Sequence, residues 1–216
     1  MERGGSKLVL ESFRNNAEVV LDPFAKAFRH VNPNTLSWVA FLFAVAAGVS
    51  VYFSYWANYL LIATSILIIL NGFFDALDGK VARLSGKASR SGDFVDHVLD
   101  RYADVVMIGL IAVSPWCNPY IGILAIIGVL LTSYMGTQAQ AVGAGRLYSG
   151  LLGRADRIVI LFFAPLVQWG LAFLGSEAIG FETMQFTIFE LVMLWFAIVG
   201  NMTAAQRAYV IWKRIR

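Results

Sequence analysis

The sequence predicts an all-α, polytopic membrane protein: six transmembrane helices preceded by an N-terminal interfacial amphipathic helix. Three observations carry that prediction. Hydrophobic residues make up 58% of the 216 positions and charged residues only 14%, against roughly 25% charged in a soluble domain. The charges are clustered, with none between Arg29 and Asp75, none between Asp104 and Arg146, and none between Arg157 and Glu177. Lys and Arg also fall only in alternate connections.

Residues 6–29 come first. Leu8, Val9, Phe13, Val19, Leu21, Phe24 and Phe28 alternate there with Glu11, Arg14, Asp22, Lys26 and Arg29, a mixture suited to an interfacial helix that Pro23 kinks or restarts. It is too polar for a signal peptide. A crossing needs about 20 apolar residues, so each of the first two charge-free stretches holds two. The first is broken around Ser54, Trp56 and Asn58, and the second at Ser114-Pro115-Trp116-Cys117-Asn118-Pro119, where Pro and Asn form turns. The spans are placed at 34–54, 58–82, 92–114, 119–141, 155–174 and 184–208.

Lys and Arg occur before the first span, around the second loop (Lys80, Arg83, Lys87, Arg90), in the fourth loop (Arg146, Arg154, Arg157) and near the C-terminus (Arg207, Lys213, Arg214, Arg216). This alternation places both termini, and the loops that share their side, in the cytoplasm. The net charge of +3 is then a topology signal that needs no nucleic-acid partner. Cys117 is the single cysteine, which excludes an internal disulfide framework. With no repeat, the chain reads as one membrane domain over 1–216, with a juxtamembrane helix in 1–30 and a bundle in 34–208.

The informative stretch is Asn71 to Asp104, NGFFDALDGKVARLSGKASRSGDFVDHVLDRYAD. Asp75 and Asp78 are three apart on the second span, and Asp96 and Asp100 four apart on the third, so each pair shares a helix face. A short loop makes these helices an antiparallel hairpin in which four carboxylates can converge. At membrane depth they repel one another unless something cationic sits among them. Hard cations such as Mg2+ or Mn2+ suit oxygen ligands, and two ions sharing carboxylates would also clamp a pyrophosphate. Gly79 and Gly92, lacking a Cβ, let a nucleotide or another helix approach the backbone, and Arg83 can hold a phosphate oxygen. A membrane cation transporter is the rival reading of the carboxylates. It leaves Gly79, Ala82, Arg83 and Gly92 without a role and does not account for the apolar outer halves of the spans.

The pattern Asp75-x-x-Asp78-Gly79-x-x-Ala82-Arg83, eight residues, Gly92-x-x-x-Asp96-x-x-x-Asp100 resembles the CDP-alcohol phosphotransferase signature at every fixed position. The six-span layout and the Pro33-Asn34 start of the first span resemble that family too. The resemblance implies a homodimer whose active site opens to the cytoplasm, and a transferase moving a lipid phosphatidyl or archaetidyl group from a CDP-lipid to an alcohol. It implies that Asp75, Asp78, Asp96 and Asp100 bind two metal ions, with Asp100 also the general base, and that Asp78, Gly79, Ala82, Arg83 and Gly92 line the CDP site. The lipid chains would stay among the helices in the bilayer.

The acceptor must be read from the other polar groups on the same side. Ser133, Tyr134, Gln138 and Gln140 end the fourth span, and Arg146, Arg154, Asp156, Arg157 and Arg207 can face the same cavity. Several arginines beside a metal site suit an acceptor that carries a phosphate dianion, although cytoplasmic loops are basic for topology alone. Ser133-Tyr134-Met135-Gly136-Thr137-Gln138-Ala139-Gln140 and Gly153-Arg154-Ala155-Asp156-Arg157 resemble the branch that accepts inositol 1-phosphate, archaeal members above all. Related bacterial enzymes carry arginines where this chain has Gly136 and Gln138, so phosphate binding is expected to rest on Ser133, Arg154, Arg157 and Arg207. Glycerol 3-phosphate or serine is the alternative acceptor, and the donor is archaeol- or diacylglycerol-based. His97 is expected to pack between helices or to support a metal-binding carboxylate from behind, rather than bind metal itself. Asp104 either orders Arg101 or the metal site, or makes a plain salt bridge. Glu190 is placed toward the outer interface without a role.

Overall fold

The computed structural model describes residues 20–145, 152–181 and 184–216. Helix α1 covers 20–27, and α2 to α6 are Pro33–Phe53, Tyr59–Leu84, Arg90–Ala112, Pro119–Ala141 and Arg154–Phe173. A hairpin of β1 (Ile179–Phe181) and β2 (Met184–Phe186) follows, then α7 (Ile188–Trp195), a π-helical turn (Phe196–Gly200) and α8 (Asn201–Ile215). The N-terminal part of the expected interfacial helix lies outside the described residues.

Among the described residues, five helices are long and apolar enough to cross a membrane: α2, α3, α5, α6 and the continuous stretch Ile188–Ile215. The chain is a multi-pass membrane protein. Helix α4 has 23 residues, but its stretch from Arg90 to Asp104 carries Arg90, Asp93, Asp96, Asp100, Arg101 and Asp104, so it does not reach the same apolarity. It packs against α2 on one side and α5 on the other.

The helix starts are written in local chemistry. Asn32, Ser89, Asn118 and Thr187 cap α2, α4, α5 and α7, each side chain accepting from a first-turn backbone N–H, and Pro33 and Pro119 take first-turn positions where no N–H donor is needed. Between α3 and α4, Gly86 adopts φ 67°, and Lys87 N donates to Ala82 O at 3.0 Å. That left-handed cap ends α3 and turns the chain, but α3 and α4 are not the packed hairpin that the sequence predicts: α2 packs against both of them.

The last span departs from expectation. It begins at Ile188 instead of 184, because Ile179↔Phe186 and Gly180↔Gln185 pair in an antiparallel hairpin. Buried Gln168 holds that corner, donating to Glu177 O and accepting from Ile188 N. Glu190 has a structural role that the sequence reading did not assign: it accepts from Asn118 N at 3.1 Å, at the start of α5. Nearby Cys117 is buried, and burial first, then the charge of Glu190, pushes its thiol up to about 12.

Helix α5 meets the last helix at unusually short range. A Cβ on Gly200 would lie 2.9 Å from the carbonyl carbon of Gly128, so both positions must be glycine for the backbones to approach. Here the last helix widens into its π turn, and Thr132 Oγ1 donates to Gly200 O at 2.8 Å. At the carboxylate-bearing end, α1 seals the α2–α3 pair. Ala25, Leu36, Leu77 and Val81 form a buried cluster backed by Phe28 and Phe73. Lys80 also bonds Asp22, which holds that carboxyl below its usual range.

Candidate active site

Helices α3 and α4 bring the predicted carboxylates together. Asp75, Asp78 and Asp96 each offer an oxygen within 4.8 Å of the others, and Asp96 does so again with His97 and Asp100. The spacing of three on α3 and four on α4 turns each pair inward, and α2, which packs against both helices, holds the two faces toward each other. The all-oxygen group of Asp75, Asp78 and Asp96 suits a hard divalent cation.

Cavities open on either side of α4. One, of about 500 Å³, lies between α2, α3 and the start of α4. Its walls include Asp78, Gly79, Ala82, Arg83 and Gly92, all five residues expected at a CDP site, together with Asn34, Ser37 and Lys87. Gly92 is tightly framed: a Cβ there would sit 3.2 Å from Ser89 Oγ and 3.4 Å from Asn34 Oδ1. The other cavity, of about 930 Å³, lies toward α5, α6 and α8. Ser133, Arg154, Arg157 and Arg207, the four residues expected to hold the acceptor, all line it, as do Arg90 and Arg101. Asp93 borders both cavities.

The arginines are already wired to the carboxylates. Arg154 forks onto Asp75 with bonds of 3.0 and 2.9 Å and reaches Asp100 Oδ1 at 2.6 Å. Arg157 is 2% exposed and donates to Asp104 Oδ2 at 2.8 Å. Arg207 donates to Thr132 O at 2.6 Å, and its guanidinium fills the space beside Gly136, 3.5 Å from where a Cβ would stand. A methyl group at 136 would make ordinary van der Waals contact with this arginine, which comes from another helix.

Several details were not visible in the sequence. Ser37 donates to Asp78 Oδ2 at 2.5 Å with both side chains buried; the only hint was a hydroxyl one turn after Pro33 in an apolar span. Arg101 bonds Ser133 Oγ and lies 3.3 Å from Asp104, so Asp104 does order Arg101, but it also joins Arg157. His97 is not packed between helices. Its side chain is 46% exposed on the larger cavity, with Nδ1 3.7 Å from Asp96. Asp156 does not face the cavity but caps α6, accepting from Gly153 N at 2.8 Å. Gln140 lines the larger cavity and Gln138 does not. Arg146 lies outside the described residues.

Comparison with known proteins agrees with this geometry. The sequence profile described as CDP-alcohol phosphatidyltransferase matches residues 30–203. An archaetidylinositol phosphate synthase of Pyrococcus horikoshii is 35% identical over 136 residues, covering 63% of this chain and 70% of the relative. One from Methanothermobacter thermautotrophicus is 26% identical over 208 residues, 96% of each chain. In fold, the chain is similar to the Mycobacterium tuberculosis phosphatidylinositol phosphate synthase solved with CDP-DAG bound, with a TM-score of 0.69 at 21% identity over 89% of this chain and 94% of that one. The match over most of its length shows that the chain belongs to the CDP-alcohol phosphatidyltransferase family.

Proposed function

We propose that the alcohol receiving the lipid phosphatidyl or archaetidyl group from the CDP-lipid donor is inositol 1-phosphate, with release of CMP. One observation carries this reading: α4 divides a cavity built from the signature residues from a second cavity walled by five arginines, and the carboxylates lie between them. A doubly charged phosphate on the acceptor is what such a wall recognises. The synthase names of the Pyrococcus and Methanothermobacter relatives support the same acceptor.

In this reading Asp75, Asp78, Asp96 and Asp100 hold two divalent ions, Mg2+ or Mn2+; manganese is present in a structure of the Mycobacterium tuberculosis relative. Bound there, they supply positive charge against the donor pyrophosphate and the departing CMP. Asp78, Gly79, Ala82, Arg83 and Gly92 hold the CDP group, and Arg83 gives charge-assisted hydrogen bonds to a phosphate oxygen. Ser133, Arg154, Arg157 and Arg207 hold the acceptor phosphate. Asp100, bordering the acceptor cavity, takes the proton of the attacking hydroxyl. That oxygen bonds to the lipid-bearing phosphorus as the bond from phosphorus to the bridging oxygen of CMP breaks. The domain spans 1–216 and acts as a homodimer. Helix α4 is its sixth crossing, and both termini and the site lie on the cytoplasmic side, as the Lys and Arg placement directs.

The test is CMP release from CDP-diacylglycerol or CDP-archaeol by purified protein, with inositol 1-phosphate, glycerol 3-phosphate or serine, with and without a chelator. Release with inositol 1-phosphate that a chelator stops and Mg2+ or Mn2+ restores is expected. Release with serine and none with inositol 1-phosphate overturns the acceptor, and indifference to chelation overturns the metal site.

A further inference from the structure

Asp104 stands one turn beyond Asp100 on α4, is 3% exposed, and lines neither cavity. Its Oδ2 nevertheless accepts from Arg157 Nη2 at 2.8 Å and lies 3.3 Å from Arg101 Nη1. Arg157 comes from α6 and Arg101 from α4, and Arg101 continues to Ser133 Oγ on α5. One carboxylate therefore holds two guanidinium groups side by side in the wall of the larger cavity.

Stability alone explains this poorly. Buried ion pairs lose in desolvation much of what they gain in attraction, and apolar packing would join the three helices as well. The fold also leaves buried Arg157 Nε without a partner, a cost that calls for an explanation. Without the shared carboxylate, the two like charges would repel and splay apart. With it, they are fixed in register with Ser133, which suits a rigid, multiply charged oxyanion. We propose that Asp104 is a positioning residue for the acceptor phosphate, acting through Arg157 and Arg101. The inference rests on the reading that the acceptor is phosphorylated.

Steady-state kinetics of the full chain in detergent test it. Asp104→Asn should raise KM for inositol 1-phosphate about tenfold, the worth of one charge-assisted hydrogen bond, and weaken inhibition by inorganic phosphate by a similar factor. KM for CDP-lipid should stay within about twofold, and Asp104→Glu should recover part of the loss. Arg157→Lys, which keeps the charge but loses the fork, should raise the acceptor KM in the same way; it decides the matter if Asp104→Asn does not fold. The proposal is overturned if Asp104→Asn raises both KM values equally, or if Arg157→Lys leaves the acceptor KM unchanged. A wild-type enzyme that neither uses inositol 1-phosphate nor is inhibited by inorganic phosphate would instead sink the acceptor reading, and this inference with it.

Discussion

Replacing Gly200 with alanine would place a methyl group where the last helix crosses α5. That carbon would stand 2.9 Å from the carbonyl carbon of Gly128, 3.2 Å from its Cα and 3.3 Å from its oxygen. Carbon atoms pack best at about 3.5–4.0 Å, and backbone cannot rotate aside, so the helices must separate by roughly half an ångström or more. Overpacking of this kind costs about 1–3 kcal/mol. For a chain of this size, each kcal/mol lowers Tm by about 2–4 °C, so a fall of roughly 2–12 °C is expected. The separation also strains Thr132 Oγ1 to Gly200 O at 2.8 Å and Arg207 Nη1 to Thr132 O at 2.6 Å, shifting Arg207 away from Ser133. The acceptor KM should therefore rise severalfold. The donor KM should not, because the smaller cavity is walled by α2, α3, α4 and their flanking loops. Thermal unfolding in detergent beside the two KM measurements checks this. Wild-type Tm together with wild-type acceptor KM refutes the reasoning.

Three further outcomes are expected. Asp100→Asn should abolish CMP release while leaving CDP-lipid binding measurable; full turnover would remove the base assignment. Ser37→Ala deletes a 2.5 Å bond to buried Asp78, and since hydrogen bonds to charged groups are worth about 1.5–3 kcal/mol, kcat/KM should fall roughly tenfold or more. Unchanged kinetics would show that Asp78 needs no such support. Cys117 should resist maleimide at pH 8, because burial holds its thiol protonated up to about 12, and should react once the protein is unfolded; rapid labelling of the native protein would contradict that environment.

The sequence announced the site better than the wiring around it. Asp75, Asp78, Asp96 and Asp100 sit at helical spacings across a short loop, and one-turn periodicity alone turns each pair to a common face. Gly79, Ala82, Arg83 and Gly92 follow from the same register. Ser37 and Arg101 were missed because their meaning is tertiary: each completes a bond to a residue on another helix. In an apolar span such as α2, every face looks alike, so the sequence does not say which hydroxyl turns inward. The hairpin at 179–186 was hidden for a related reason. Ile179 and Phe181 read as part of a connection and Phe186 as a membrane residue, and only backbone pairing and the Gln168 bridge reveal that the helix has not yet begun at 186.

Helix α4 carries the sharpest form of this problem. By composition it is less apolar than the five helices able to cross a membrane, yet it is packed on α2 and α5. The same charges account for both. Helix α6 delivers Arg154 to Asp100 and Arg157 to Asp104, and Arg101 adds a link to Ser133 of α5. Hydrophobicity is required of a crossing helix only where it meets lipid; where neighbouring helices bring opposite charge, polarity costs less and a site can form. Stripping α4 of its charges would make it a better membrane helix by composition, but would leave Arg154 with Asp75 alone and Arg157 without an ion pair among the described residues, two cations that α6 carries only because α4 is polar.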